Sequence, residues 1–279
     1  MDVKRLNDAL EYVEAHITEN IDFVKIEQIS CLSRYNFQKV FSILAGIPFG
    51  EYVRNRRLSH SVYLLKETDM KIIDIAYHIG YESSDSFSSS FKKLYGYTPG
   101  YFRKHPVILP TFPKLTISVE IRGGYQMNYR VETMDSFQIT GVSRTYSTMT
   151  EAQNEIPAFW AEVNQSGKSD ELINIKNNTL PGMLGLCFPD EDGGMEYVIG
   201  VTGDDSSSFK TFTVTGGRYL VFDAVGPVPS ELQRVTNEIF QNVMPSSEYE
   251  LRDAPEFELY HPGDVTADDY TVEIWVPVK

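Results

Sequence analysis

Two carboxylates stand inside apolar, aromatic stretches of the second half of the chain. Glu258 lies in Phe257-Glu258-Leu259-Tyr260, and Glu273 lies in Val272-Glu273-Ile274-Trp275. A carboxylate among aromatic rings suits a lipophilic cation, because it supplies the opposite charge while the rings supply apolar and cation–π contact. Alternation along a strand also allows each glutamate to point outward into solvent. The residue types therefore leave two interpretations, a cation site and an ordinary solvated strand face.

A second set of chemistry-bearing residues lies in the first half, on one face of a predicted helix. The apolar positions repeat at helical spacing and are Phe37, Val40, Phe41 and Leu44. The polar positions on the opposite face are Arg34, Tyr35, Gln38, Lys39 and Ser42. Glutamine can pair with adenine, arginine or lysine with guanine, and tyrosine can contact a thymine methyl group. This face is equipped to read base edges in a DNA groove.

The same helical pattern returns 50 positions later. Phe37, Phe41, Leu44 and Gly46 recur as Phe87, Phe91, Leu94 and Gly96. Each copy predicts a short helix, a turn and a second amphipathic helix with a glycine C-cap, over about 23–46 and 72–96. The matching exposed face of the second copy is Ser84, Asp85, Ser88, Ser89 and Lys92, which lacks a long basic reader. A helical bundle with solvated faces is the alternative, but two copies favour an all-α tandem helix-turn-helix domain over 1–106.

Charge is distributed unevenly between the two halves. The whole chain of 279 residues has a formal net charge of −14, yet residues 1–106 hold 14 Lys+Arg and 13 Asp+Glu. Residues 107–279 hold 11 and 26, so the acidity belongs to the second half. Local basic residues govern phosphate contact, and a negative net charge does not exclude DNA binding. The acidity of the second half either attracts cationic ligands or keeps that half soluble.

Several function classes are disfavoured by composition. No apolar run approaches the length of a membrane span, and the N-terminus leads directly into an amphipathic helix rather than a secretory signal. The two cysteines, Cys31 and Cys187, have no metal or redox spacing, and the five histidines are scattered. We therefore expect no metal, no cofactor and a reducing cytoplasmic location.

The periodicity changes beyond a proline-containing linker at 107–114, which Pro106 precedes. Alternating segments predict eight strands, and helices are expected over about 157–166 and 229–243. The order strand, helix and two strands covers 137–202 and returns over 217–277. We therefore predict an α+β domain over 115–279, made of two pseudo-repeated antiparallel sheets, each backed by a helix. A cleft between two such halves is a natural ligand site.

The first half resembles the DNA-binding domain of the AraC/XylS family over about residues 5–105. The resemblance rests on the segments Ala45–Arg54, Asp74–Ser83, Phe87–Lys93 and Gly96–Arg103. It implies two helix-turn-helix units on one linking helix, which enter neighbouring major-groove segments. By position, base contacts fall on Tyr35, Gln38 and Lys39 and then on Ser84, Asp85 and Ser89. Arginine is common in relatives at Ser89, so the resemblance implies that the second unit mainly positions the protein, through Lys92, Lys93 and Arg103.

The second half resembles the GyrI-like effector-binding domain, which also occurs in multidrug-sensing activators. The matching segments are Ile156–Trp160, Glu196–Val201, Gly217–Phe222, Phe257–Tyr260 and Val272–Pro277. The resemblance implies Glu258 as the pocket glutamate, with Glu273 as the second choice. It implies pocket walls chosen from Trp160, Tyr197, Tyr219, Tyr260 and Trp275, although most aromatic residues in such a domain are core.

These observations predict a transcription regulator that binds promoter DNA and a small effector, with activation expected by analogy to relatives. RNA polymerase is an expected partner, and the chain can act as a monomer or a homodimer. Two alternatives concern the second domain. It could hydrolyse small molecules through Glu258, or it could dock another protein without a ligand.

Overall fold

The structure, a computed structural model, describes residues 1–105, 107–118, 127–190, 193–203 and 208–279. Contacts divide the chain into two units. The helical unit comprises Val3–Cys31 and Ala45–Ser118. The sheet unit comprises Met1–Asp2, Leu32–Leu44 and the described part of Val119–Lys279. One helix from the first half of the sequence therefore belongs with the second half.

Seven helices form in the first half, and six of them follow the predicted pattern with small differences at their ends. They are α1 Val3–Ala15, α2 Phe23–Ser30, α3 Arg34–Ala45, α4 Phe49–Glu67, α5 Ile72–His78, α6 Ser84–Tyr95 and α7 Pro99–Lys104. The Asp22 side chain caps α2 by accepting hydrogen bonds from two backbone amides, and Ser83 caps α6. Helix α1 ends at Ala15. Helix α7 was not predicted; Thr98 caps it and Pro99 begins it.

The helical unit is held by a core contributed by α4 to α7. Its fully buried members include Leu58, Ile75, Phe87, Phe91 and Phe102. The segment expected as a linker belongs to this unit, since its side chains Val107, Leu109 and Phe112 pack against the same core. Pro106 lies outside the described residues.

The described part of the sheet unit contains eight antiparallel strands. They are β1 Tyr129–Met134, β2 Phe137–Tyr146, β3 Met183–Pro189, β4 Met195–Thr202, β5 Lys210–Val214, β6 Gly217–Val225, β7 Glu256–Tyr260 and β8 Thr271–Val278. Their order is β1-β6-β8-β7-β3-β4-β2-β5. The two halves of this order have the same internal topology, which confirms the predicted repeat. The pairing of β7 with β3 joins the two expected sheets into one.

The helices of the sheet unit differ most from expectation. Helix α8 runs from Met149 to Gln165, and the interior of the helix includes Pro157. It begins earlier than predicted because Thr148 provides the N-cap. Helix α9, Lys168–Ile175, was not predicted. Helix α10, Ser230–Glu238, continues through a π-helical turn, Ile239–Val243, into α11, Met244–Ser246.

The two faces of the sheet have different neighbours. One face forms a core that includes Leu184, Val198, Tyr219, Phe257 and Trp275. On the other face, α8 packs on β2 and β4, and its residues join a second core with Tyr146 and Tyr197. Within the described part of the chain, no helix is long and apolar enough to cross a membrane.

Candidate effector site and DNA-reading helices

Strand β7 places three polar side chains on one face of the sheet. Residues two apart point the same way, so Glu256, Glu258 and Tyr260 share a face, while the intervening Phe257 and Leu259 enter the core. On the neighbouring strands, Gly185 is opposite Glu258, and Cys187 lies between Glu256 and Tyr197. This is the sheet face that carries α8.

Hydrogen bonds connect four of the predicted ligand residues, and we call Glu258, Tyr260, Tyr197 and Trp160 the Glu258 cluster. The hydroxyls of Tyr197 and Tyr260 each donate to Glu258 Oε2 at 3.1 Å. The indole Nε1 of Trp160 donates to the Tyr197 hydroxyl at 3.0 Å. The Trp160 ring also lies 4.8 Å from the Tyr260 ring, measured between centroids. One carboxylate is therefore surrounded by three aromatic side chains.

Gly185 makes room for this arrangement. A Cβ atom at this position would lie 2.2 Å from the Tyr197 hydroxyl and 2.8 Å from Glu258 Oε2. Both distances are shorter than a van der Waals contact. The absence of a side chain at residue 185 therefore lets a phenol and a carboxylate meet above the backbone of β3.

The environment of Glu258 shifts its protonation into the neutral range. Burial, followed by the nearby charge of Glu256, raises the pKa of Glu258 to about 7, against the opposing effect of the two tyrosine donors and Lys39. The pKa of the Cys187 thiol is also raised, first by burial and then by Glu256 and Glu258. A cation placed here would lower the pKa of Glu258 and favour its ionised form.

The structure does not bring the other three predicted ligand residues to this cluster. Tyr219 and Trp275 are buried on the opposite face, where their rings pack against Phe257. Glu273 is cross-strand to Leu259, which also places it on that face. Its carboxylate pairs with Arg130 at 2.7 Å and accepts from Trp275 Nε1 at 2.8 Å. Alternation along β8 separates these residues from Glu258 by the thickness of the sheet.

The predicted base readers of α3 lie in the sheet unit and are not uniformly exposed. Tyr35 and Lys39 are only 4% and 7% exposed. Arg34 and Gln38 are half-buried beside Gly193, where a Cβ atom would lie 2.7 Å from Arg34 Nε and 2.9 Å from Gln38 Oε1. The expectation that the polar face of α3 is solvent-exposed is therefore corrected, because tertiary contacts cover that face.

The predicted contacts of α6 and α7 lie in the helical unit and are more accessible. Asp85, Ser89, Lys92 and Lys93 are exposed, whereas Ser84 and Ser88 are half-buried. Arg103 is also half-buried, and its Nε donates to the Leu65 carbonyl at 3.2 Å. Helix α6 thus presents a polar surface with two exposed basic side chains at its C-terminal end.

Several residues around the cluster were not singled out from the sequence. Glu256 could have been found from its spacing, because it lies two residues before Glu258 on the same strand. Gly185 carried no such signal, since its role depends on which strands become neighbours. Among the described residues, no three His, Cys, Asp or Glu side chains are grouped to hold a metal ion.

Comparisons with known proteins agree with both halves. Residues 130–278 match the family of integron-associated effector binding proteins, and residues 27–105 match a helix-turn-helix domain family. The chain is 25% identical to the right origin-binding protein of Escherichia coli K12, over 98% of both chains. It is 32% identical to the HTH-type transcriptional activator AarP of Providencia stuartii, over 35% of this chain and 73% of that protein. A solved structure of SAV2435 bound to tetraphenylphosphonium is 37% identical and covers 55% of this chain and 94% of that one, with a TM-score of 0.53.

The fold, the site and these similarities define an AraC-type DNA-binding transcription regulator with a C-terminal GyrI-like effector-binding domain. The effector-binding match spans more than half of the chain. The chain belongs to the family of integron-associated effector binding proteins, here joined to an N-terminal helix-turn-helix domain.

Proposed function

We propose that this regulator is a transcription activator whose effector is a lipophilic organic cation, bound at the Glu258 cluster. The observation that carries the proposal is a largely buried carboxylate ringed by Trp160, Tyr197 and Tyr260. Such a site offers one negative charge and three aromatic rings, which a hydrophobic cation satisfies and a neutral or anionic molecule does not. The similar SAV2435, bound to tetraphenylphosphonium, supports the same ligand class.

The carboxylate explains why charge should decide binding. An ionised Glu258 is costly in an apolar site, and an incoming cation offsets that cost by pairing with it. A ligand of the same shape and opposite charge would add a further negative charge beside Glu256 and Glu258. Charge discrimination is therefore a sharper test than affinity alone.

The experiment is calorimetric titration of the full chain with tetraphenylphosphonium and with its anionic isostere tetraphenylborate. We expect the cation to bind and the anion not to bind. Glu258→Gln should weaken cation binding by about tenfold or more, since it removes a charge while keeping the shape. Glu171→Gln, which removes an exposed carboxylate of α9, is the matched control and should bind normally. Equal binding of both ions, or normal binding by Glu258→Gln, would contradict the proposal.

We further infer that the site binds its effector without converting it. The neighbouring nucleophile, Cys187, has a raised pKa and stays a thiol at neutral pH, which makes it a poor nucleophile. Glu258 accepts two tyrosine hydrogen bonds that hold it as a binding group. Turnover of a reactive ester that is lost in Glu258→Gln would instead favour the hydrolase alternative.

We also propose that Arg34, Tyr35, Gln38 and Lys39 of α3 read the DNA sequence. Ser84, Asp85, Ser88 and Ser89 of α6 contribute weaker reading, and Lys92, Lys93 and Arg103 contact phosphates. Two reading helices in one chain allow a monomer to bind neighbouring groove segments, and activation then requires contact with RNA polymerase. Similarity to the activator AarP supports the activating sign.

A further inference from the structure

The polar face of α3 is engaged by the effector-binding half of the chain. Residues Leu32–Leu44 belong to the sheet unit, and Tyr35 joins the core formed by Tyr146, Phe159 and Tyr197. The opposite face of α3 is also buried, since Phe37, Val40 and Phe41 are fully inaccessible. Helix α3 is therefore covered on the side that the sequence assigns to DNA.

Lys39 makes the contacts expected of a cationic ligand. Its ammonium group forms an ion pair with Glu256, in which the two side chains are only 9% and 20% exposed. The same ammonium lies 4.6 Å from the centroid of the Phe240 ring. Carboxylate pairing and an aromatic face are the two interactions that bind lipophilic cations. Glu256 shares its sheet face with Glu258, two residues away.

Tyr35 fixes the other end of the contact. It lies in a core against which Cys187 packs, and Cys187 is cross-strand to both Glu256 and Tyr197. Further along α3, the Ile43 carbonyl accepts from Gln241 Nε2 at 3.1 Å. Phe240 and Gln241 both lie in the π-helical turn, a feature found frequently at functional sites. Helix α3 thus bridges β3, β7 and the π-turn beside the Glu258 cluster.

We propose that α3 is an internal occupant of the effector site, and that a cationic effector displaces it and frees its reading face for DNA. This inference rests on the proposed function, because it assumes that the effector uses the Glu258 side of the sheet. Lys39 cannot pair with Glu256 and contact a base or phosphate simultaneously. The docked and DNA-bound positions of the Lys39 ammonium therefore exclude each other, and an effector that replaces it shifts the population toward the DNA-competent state.

The first experiment needs no effector and measures DNA binding by the full chain. The probe is a duplex enriched from a random-sequence pool by the Glu256→Gln chain, and affinity is read by fluorescence anisotropy at one fixed salt concentration. Glu256→Gln should bind it at least about fivefold more tightly than the unmodified chain, because it weakens the docked state without altering a DNA-contacting residue.

The matched control is Glu171→Gln, which makes the same charge change on an exposed part of the sheet unit. It separates release of α3 from a general loss of repulsion between the acidic half and phosphate. Equal affinity of Glu256→Gln and Glu171→Gln would overturn the proposal.

The second experiment needs no variant and measures acetylation of Lys39 by an activated acetate ester, followed by mass spectrometry. Lys92 and Lys93 are exposed in α6 and serve as internal references. Saturating tetraphenylphosphonium should raise the rate of Lys39 acetylation at least about fivefold relative to the references, and tetraphenylborate should not.

The two proposals fail in different ways. If tetraphenylphosphonium binds in a Glu258-dependent manner but Lys39 stays protected, the function stands and the displacement of α3 is overturned. If tetraphenylphosphonium does not bind, the assigned effector class fails, and the DNA-binding comparison of Glu256→Gln with Glu171→Gln still decides whether α3 is held in the site.

Discussion

Ionisation of Glu258 lowers the stability of the folded protein. Its ordinary pKa of 4.5 rises to about 7, because burial and the charge of Glu256 oppose ionisation. A group whose folded pKa is raised stabilises the fold below its unfolded pKa, and this contribution is lost as the pH rises through the folded value. A catalytic role is not needed to explain the raised pKa of Glu258. A site that binds a cation also requires a carboxylate whose charge is unfavourable in the free protein.

Replacing this carboxylate should therefore stabilise the free protein, and more so at higher pH. Glu258→Gln keeps the shape but does not ionise, so its advantage should appear as the pH rises from about 4.5 through 7 and reach on the order of 2 kcal/mol. Thermal unfolding of the sheet unit at pH values on both sides of 7 measures the difference. A constant offset between the two proteins, as expected for Glu171→Gln, would show that Glu258 does not titrate in this range.

Gly185 should be as important to the site as the charged residue opposite it. In Gly185→Ala, the new methyl group would overlap the Tyr197 hydroxyl and crowd Glu258 Oε2. Loss of the hydrogen bond between the Tyr197 hydroxyl and Glu258 should weaken tetraphenylphosphonium binding by about tenfold, which calorimetry can measure. Gly203→Ala is the control, since a Cβ atom there meets its nearest neighbour at 3.4 Å. Unchanged binding by Gly185→Ala would contradict the assigned geometry.

At the scale of elements, local sequence signals predicted helices well where caps and periodicity agree. The bounds of α2 and α3 follow from Asp22 and from the spacing of Phe37 and Phe41. The predicted helix begins at Pro157, because proline is common in the first turn of a helix, and it is therefore shorter than α8. The stronger signal was the N-cap at Thr148, with Glu151 three residues later.

Four of the seven predicted ligand residues lie in the Glu258 cluster, and alternation along the strands explains why the other three do not. The internal repeat aligns Glu196-Tyr197-Val198 with Glu273-Ile274-Trp275, so Trp275 matches the core residue Val198 rather than Tyr197. That alignment already separates Trp275 from the face of Tyr197. The burial of Tyr35 and Lys39 is different in kind, because helical periodicity identifies a polar face but not which surface covers it.

Helix α6 should contribute to DNA binding mainly through phosphate contacts. Lys93→Ala should weaken binding to all duplexes alike and reduce the slope of log affinity against log salt by about 1, because one released counterion is lost. Lys168→Ala removes an exposed lysine of α9 and should change neither quantity. Sequence-dependent loss in Lys93→Ala would instead assign this residue to base reading.

The whole molecule combines a nearly neutral DNA-binding sequence with a strongly acidic effector-binding one. Residues 1–106 carry 14 Lys+Arg and 13 Asp+Glu, whereas residues 107–279 carry 11 and 26. Long-range repulsion alone would keep the acidic part away from phosphate. The ion pair between Lys39 and Glu256 adds a specific contact, because one carboxylate of the acidic part holds a lysine that is assigned to DNA binding.

Two lysines allow DNA binding and effector binding to be separated within one chain. If Lys39 competes with the effector, Lys39→Ala should raise the affinity for tetraphenylphosphonium by about fivefold, since less of the protein is held in the occupied state. The same substitution also removes a reading residue, so it should not give the gain in duplex affinity expected of Glu256→Gln. Lys93→Ala should weaken duplex binding while leaving the affinity for tetraphenylphosphonium unchanged.

Calorimetry and anisotropy on the same protein samples measure both affinities. Both substitutions remove one positive charge, so a general electrostatic effect would change the affinity for the cation equally in the two variants. A rise in affinity for tetraphenylphosphonium that is confined to Lys39→Ala would indicate that the Lys39 ammonium and the effector occupy neighbouring positions. If the two variants bind tetraphenylphosphonium equally, Lys39 is a structural ion pair, and effector binding must reach DNA by another route.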